Sequence, residues 1–167
     1  AAHMEFEYIR HGTVSLIGFF DVATGRMEKP YLNSTHTEKD FVEAIRALIE
    51  TDPEAPWTFV CDGLNIHKSE SLVRFVVGQC GLSEDLGRKD RSEILKNQES
   101  RAEFLHHKDH RIRIVYTPKH CSWMNQIEIW FTVKFLFRST RNTCVILLHF
   151  LSRQKKMQAI FFDIPQL

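Results

Sequence analysis

The stretch TFVCDGLNIHKSESLVRFVVGQCG, residues 58–81, contains the signals that decide the fold. Its first five residues are a short apolar run ending in Asp62, a pattern typical of a buried strand whose tip opens onto a site. A helical pattern follows from Ser69 to Gln79, and Gly81 is a candidate C-cap. The stretch therefore predicts a strand and a helix, with Asp62 at their connection.

Asp62 has two interpretations. Sites in α/β sheets gather at the carboxyl ends of strands, which makes Asp62 a candidate site residue. An acid at this place is also well suited to capping the next turn. From the residues alone, both interpretations stay open.

The residues before this stretch predict antiparallel strands and then a helix. The predicted strands are EFEYIR (5–10), TVSLIGFF (13–20) and a polar run near 26–32, with turns at His11-Gly12 and at 21–25. Thr37 and Asp40 resemble a capping box, and apolar residues behind them recur at helical spacing. That helix should end near Asp52-Pro53.

The residues after the stretch complete the prediction of the fold. Residues 82–110 are polar with weak helical patterning around 91–107, and we expect them to be an insertion. RIRIVY (111–116) alternates as a strand does, 118–123 is a loop, and 125–138 is a helix. Antiparallel strands followed by alternating helix and strand predict an α/β domain with a mixed sheet.

Composition narrows the class of protein. A chain of 167 residues is long enough for one domain with a buried core. The four cysteines are irregularly spaced without a CxxC pair, so neither a zinc knuckle nor a redox pair is indicated. No signal peptide is recognisable, and the apolar run at 144–151 is too short to span a bilayer. We expect a cytoplasmic protein without a membrane partner, and we interpret AAHM (1–4) as a cloning remnant.

Charge is distributed unevenly along the chain. The net charge is only +1, yet residues 111–156 contain nine Lys or Arg and a single acid, Glu128. Such asymmetry favours a polyanionic partner, although a charge run is also an ordinary solvated face. Glu128 sits among Trp123, Ile127 and Trp130, and a carboxylate packed in this way needs a cation or hydrogen bonds to stay charged.

Two carboxylates from a strand tip and a helix fit a hard cation such as Mg²⁺, which prefers oxygen ligands. Asp62 and Glu128 are the candidate metal ligands. Two ions roughly 4 Å apart can activate a water or hydroxyl and stabilise the leaving oxygen of a phosphodiester. The acid would then bind metal, and the surrounding positive charge would bind phosphates.

Four motifs resemble the catalytic domain of bacterial insertion-sequence transposases in the mariner-like branch of the DDE superfamily. They are FDVATG (20–25), CDGLNIH (61–67), SESLVRFV (69–76) and YTPKHCSWMNQIEIWF (116–131). The resemblance implies a ribonuclease H-like fold with a mixed sheet flanked by helices. It also implies DNA cutting and joining by three acids with two Mg²⁺ or Mn²⁺ ions, on transposon ends as the DNA partner, with no small-molecule cofactor.

The resemblance also assigns residues by motif position. Asp62 matches the family's second acid and Glu128 its third, while Asn65, His67, Trp123 and Asn125 fall on positions that shape the site. The expected DNA contacts are Lys119, Lys134, Arg138 and Arg141. Residues 5–138 are the expected core, and 139–167 a diverged tail. A bacterial, nucleoid-associated location and a homodimer are further expectations.

The sequence departs from the family pattern in three places. The family's first acid lies on a strand upstream of EFEYIR, and this chain starts after that point. The usual Asp-Asn at the second acid is Asp62-Gly63 here, and the likeness fades after Phe131. We therefore expect the family's first strand to be lacking or replaced, and the fragment to lack full activity.

The tail offers a replacement for that strand. QAIFFDI (158–164) is an apolar run with an acid near its end, and we hypothesise that it fills the gap and brings Asp163 towards Asp62. Domain swapping is another way to cover the gap. The alternative function is a non-catalytic relic that binds DNA weakly or self-associates through its basic part.

Overall fold

The computed structural model describes residues 13–118 and the strand 155–165, of which the backbone alone is described. The elements in chain order are β1 (Thr13–Asp21), β2 (Arg26–Asn33), α1 (Glu38–Ile49), β3 (Trp57–Cys61), α2 (Glu70–Cys80), α3 (Gln98–His106), β4 (Ile112–Tyr116) and β5 (Lys155–Pro165). Short 3₁₀ turns at Asn65–Lys68 and Glu93–Leu95 precede α2 and α3. The predicted α/β class with a mixed sheet is confirmed.

The sheet has the strand order β2-β1-β5-β3-β4. β1 pairs antiparallel with β2 and with β5, whereas β3 pairs parallel with β4 and with β5. The last strand of the chain therefore lies at the centre and joins the β1–β2 pair to the β3–β4 pair. The run at 158–164 lies in the sheet, as the hypothesis of a replacement strand requires.

Both edges of β1 are occupied, by β2 on one side and by β5 on the other. The predicted partner strand at 5–10 and its turn at His11-Gly12 lie outside the described residues. The turn at 21–25 is confirmed, because the Gly25 N–H donates to the Asp21 carbonyl and the Asp21 carboxylate accepts from Ala23 N–H.

Local signals explain where the helices begin and end. α1 starts with the predicted capping box, in which the Thr37 side chain accepts from the Asp40 N–H and the Asp40 side chain accepts from the Thr37 N–H. α1 ends at Ile49, three residues before the predicted end, and turns continue to Asp52. α2 is capped by Ser69 and ends at Gly81 with φ 64°, a left-handed conformation that glycine adopts without strain.

The core lies where the helices pack on the sheet. Trp57, Phe59 and Cys61 alternate with half-buried residues, as expected of a strand with one face inward. Segment 82–110, predicted as a polar insertion, contributes Leu95 and Leu105 to this core, both with no exposed surface. It is therefore packed against the rest of the described chain.

Candidate active site at the end of strand β3

Asp62 follows the last residue of β3 and begins the connection to α2. Its Oδ1 accepts a hydrogen bond of 3.1 Å from the Leu64 N–H, which is the turn-capping contact considered from the sequence. The chain then enters the 3₁₀ turn Asn65–Lys68 and reaches the N-cap of α2 at Ser69. Both interpretations of Asp62 are thus compatible, because a capping acid at a strand tip also faces the edge of the sheet.

His67 turns back from this connection onto Asp62. Its Nδ1 lies 2.8 Å from Asp62 Oδ1 and 3.3 Å from the Asp62 carbonyl oxygen. The His67 side chain is 1% exposed, whereas that of Asp62 is 42% exposed. His67 is therefore the buried member of the pair, and Asp62 is exposed enough to contact a ligand.

Contacts with Phe41, Tyr116 and Leu64, all within the described residues, hold His67 in place. Its ring lies against Phe41 of α1, with 4.5 Å between ring centroids. The Tyr116 hydroxyl at the end of β4 donates to the His67 carbonyl at 2.8 Å. The His67 N–H donates to the Leu64 carbonyl at 3.1 Å. Helix α1, strand β4 and the 3₁₀ turn therefore position the side chain that contacts Asp62.

The surroundings keep Asp62 ionised. Partial burial by itself raises the pKa of a carboxyl, but the hydrogen bond and charge interaction with His67 oppose it. The Leu64 N–H and Lys68 act in the same direction, so the pKa of Asp62 lies below its ordinary value. A carboxylate that stays charged is suited to binding a cation.

Lys68 and Tyr116 contact each other near the end of β3. Lys68 Nζ lies 5.0 Å from the centroid of the Tyr116 ring, an arrangement typical of a cation–π contact. A Cβ at position 63 would lie 3.9 Å from the same Nζ, so a side chain there would touch Lys68. Burial, and then the neighbouring Cys61, raise the pKa of Tyr116, so its hydroxyl keeps the proton that it donates.

Asn65 is the first residue of the 3₁₀ turn in this connection. It lines an open cleft of about 200 Å³ together with Lys68, Lys89 and Arg101. Two acids, Glu38 and Glu70, line the same cleft. Neither Asp62 nor His67 lines this cleft, so the cleft does not place Asn65 beside the pair.

The structure brings together part of the predicted site. Asp62 and His67 are in contact, and Asn65 lies on the same connection. The remaining predicted residues lie outside the described residues, namely Glu128, Trp123, Asn125, Lys119, Lys134, Arg138 and Arg141. The Glu128–Asp62 pairing consequently stays a prediction.

Sequence reasoning missed Phe41, Lys68 and Tyr116. Lys68 directly follows the CDGLNIH motif, so its place in the sequence was an available signal. Tyr116 is the register partner of Cys61 in the parallel pair β3–β4, which brings the ends of two strands to one edge. That pairing is long-range and leaves no local mark in the sequence.

A divalent metal ion such as Mg²⁺ is bound by several oxygen ligands. Within the described residues, no group of three or more His, Cys, Asp and Glu side chains could hold a metal ion. Asp62 nevertheless supplies a charged, partly exposed oxygen donor of the type that Mg²⁺ and Mn²⁺ prefer. The described part of the site thus supplies one ligand for such a metal ion, namely Asp62.

The register of β5 determines how far Asp163 lies from the level of Asp62. Val60 pairs with Gln158, and continuing this register brings Ile160 level with Asp62. Asp163 pairs with Ser15 and lies three positions further along β5, which corresponds to about 10 Å at the usual rise of a strand. Asp163 as a third acid therefore stays a prediction that the register does not favour.

Fold and site together define a mixed α/β domain that presents an ionised acid at the carboxyl end of a sheet strand. The sequence profile described as DDE superfamily endonuclease matches residues 2–135 of the chain. The chain therefore belongs to the DDE superfamily endonucleases, which are transposase-related catalytic domains. No curated protein and no solved structure gives a match.

No helix within residues 13–118 has the length and apolar character needed to cross a membrane.

Proposed function

We propose that this domain has the ribonuclease H-like architecture of a mariner-like DDE transposase and that Asp62 and Glu128 bind Mg²⁺ or Mn²⁺. The observation that carries the proposal is the ionised carboxylate of Asp62 at the tip of β3, held by His67, within the matched range. The central position of β5, between an antiparallel and a parallel neighbour, supports the view that it replaces the family's first strand.

The chemistry is cleavage and transfer of DNA strands. Bound divalent ions would lower the pKa of the attacking water or 3′-hydroxyl and neutralise charge on the phosphate. Asp62 would bind one ion through its carboxylate, whose Oδ1 is fixed by the Leu64 N–H and by His67. Lys119, Lys134, Arg138 and Arg141 are the proposed contacts to the DNA backbone.

Metal titration tests the proposal. Mn²⁺ binding is measured by electron paramagnetic resonance in the wild type, in Asp62→Asn and in Glu128→Gln. Both variants should bind Mn²⁺ at least about tenfold more weakly, since loss of an outer partner alone typically costs about 10–100-fold. The matched control is Asp109→Asn, because this acid is 89% exposed and leaves the affinity unchanged.

The same preparations are incubated with supercoiled DNA and Mn²⁺. The 167-residue chain should not nick the DNA, because two carboxylates do not hold two ions in the geometry that the reaction requires. Nicking that disappears in Asp62→Asn would contradict the expectation of inactivity. Mn²⁺ binding that is equal in the wild type and both variants would contradict the metal assignment.

A second function is favoured by the register of β5, which brings Ile160 rather than an acid level with Asp62. In this view the domain is a non-catalytic relic that binds DNA or itself through its basic part. DNA affinity should then fall with salt and be indifferent to Mn²⁺. Measurement of the salt dependence with and without Mn²⁺ separates the two functions.

A further inference from the structure

We infer that His67 is a positioning residue that holds Asp62 by Oδ1 and thereby leaves Oδ2 as the metal-binding oxygen. This inference rests on the proposed function, which assigns Asp62 to metal binding. Beyond that assignment, it specifies the oxygen of Asp62 that binds the metal and the residue that orients the carboxylate. It also specifies the buried contacts that hold His67 in place.

The environment of the ring decides which nitrogen bears hydrogen. His67 Nδ1 faces the Asp62 carboxylate at 2.8 Å and the Asp62 carbonyl at 3.3 Å. Asp62 Oδ1 already accepts from the Leu64 N–H, and a carbonyl has no hydrogen to give, so both oxygens are acceptors. Nδ1 must therefore carry the hydrogen and donate it.

The ring has no freedom to change this contact. His67 is buried and its ring lies against Phe41. Its backbone is tied on both sides, by the N–H to Leu64 and by the carbonyl to Tyr116. A rotation of the ring would disturb the packing on α1, so the donor stays aimed at Asp62.

The hydrogen bonds to Asp62 are asymmetric. Oδ1 accepts from both the Leu64 N–H and His67 Nδ1. Within the described residues, none donates a hydrogen bond to Oδ2. The Asp62 side chain is 42% exposed and its Oδ1 is held by two donors, so Oδ2 is the oxygen left for a metal ion. Carboxylate ligands are commonly oriented by such hydrogen bonds to their other oxygen.

Amide variants separate positioning from packing. The side-chain nitrogen of Asn is as many bonds from Cα as Nδ1 of His, whereas that of Gln is one bond further. His67→Asn can therefore donate to Asp62 Oδ1, and His67→Gln and His67→Leu cannot reach it in the same geometry. The matched control is His107→Asn, because the His107 side chain is 58% exposed.

Mn²⁺ affinity is the first measurement, with thermal unfolding recorded for every variant. His67→Leu and His67→Gln should weaken Mn²⁺ binding by about 10–100-fold, the usual effect of losing an outer-shell partner. His67→Asn should retain most of the wild-type affinity even where it unfolds at a lower temperature. Equal Mn²⁺ affinity in the Gln and Asn variants would overturn the inference. The affinity would then not depend on a donor that reaches Asp62 Oδ1.

A second measurement does not depend on metal. Nitrogen-15 spectra of the His67 ring should show hydrogen on Nδ1 in the wild type, and Asp62→Ala should change the Nδ1 signal. Hydrogen on Nε2 alone would overturn the inference. If the wild type binds no Mn²⁺ while the ring spectra are as expected, the metal assignment fails and the hydrogen-bonded pair stands.

Discussion

At the scale of the residue, two acids show how a carboxylate is used in this domain. Asp40 is buried and takes part in the N-terminal cap of α1, whereas Asp62 is partly exposed and lies at the edge of the sheet. Asp40 Oδ2 accepts from Thr35 Oγ1, Thr37 Oγ1 and the Thr37 N–H at 2.7–2.8 Å. Both oxygens of Asp40 are occupied, because Oδ1 accepts from Asn33, so Asp40 is structural.

Asp40→Asn should destabilise the domain in a pH-dependent way. Burial raises the pKa of Asp40, but the hydrogen bonds from Thr37, Thr35 and Asn33 outweigh it and the pKa is lowered. A lowered pKa stabilises the fold above the unfolded value near about 4, and this contribution is lost as the pH falls through the folded value.

We expect Asp40→Asn to lower the free energy of unfolding by about 1–2 kcal/mol at neutral pH. The difference from the wild type should shrink below about pH 4. Urea unfolding at several pH values measures both effects. Glu43→Gln, an exposed acid of the same helix, is the control with a small effect. A difference that is constant with pH would contradict the role of the charge.

At the scale of the element, α2 contains two glycines in different conformations. Gly78 is within the helix, and Gly81 ends it with φ 64°. A Cβ at either position would meet nothing within 4 Å, so backbone conformation alone decides the effect of a substitution. Because the two sites are matched in space and differ in φ, they form an internal comparison.

Gly81→Ala and Gly78→Ala should change stability in opposite directions. Alanine at 81 is forced into the left-handed region and should cost about 1 kcal/mol. Alanine at 78 should add about 0.5–1 kcal/mol, since glycine weakens a helix interior. Thermal unfolding of both variants measures the two signs. A loss of stability at both positions would show that packing, not φ, governs them.

At the scale of the whole molecule, β5 joins the two halves of the sheet. It pairs with β1 over nine residue pairs and with β3 over four. No ladder links β1 to β3 within the described residues, so the backbone groups facing the centre are satisfied by β5. The site at the tip of β3 therefore depends on a strand from the end of the chain.

Proline within β5 should disrupt this assembly. Ile160→Pro removes a ladder donor from a central strand and should cost about 3 kcal/mol or more. The control is Gln166→Pro, which falls after the last residue of the strand. Urea unfolding followed by tryptophan fluorescence measures the difference, because Trp57 is buried in β3 next to β5. Equal midpoints would show that β5 does not support the sheet.

Several features of the fold and of the site were predictable because they depend on neighbours in sequence. The capping box of Thr37, the C-cap at Gly81, the strand that ends just before Asp62 and the strand 112–116 follow from local hydrogen bonds and alternation. The motif that contains Asp62 and His67 was also visible, and with it the family.

Only the tertiary structure decided which distant residues meet. The return of His67 onto Asp62 depends on packing against Phe41 and on the Tyr116 hydroxyl, which comes from 49 residues further along the chain. The central place of β5 and the burial of Leu95 and Leu105 are likewise long-range. The physical reason is that local sequence determines backbone conformation and helix caps. Strand pairing and side-chain burial instead depend on the free energy of the whole sheet and core.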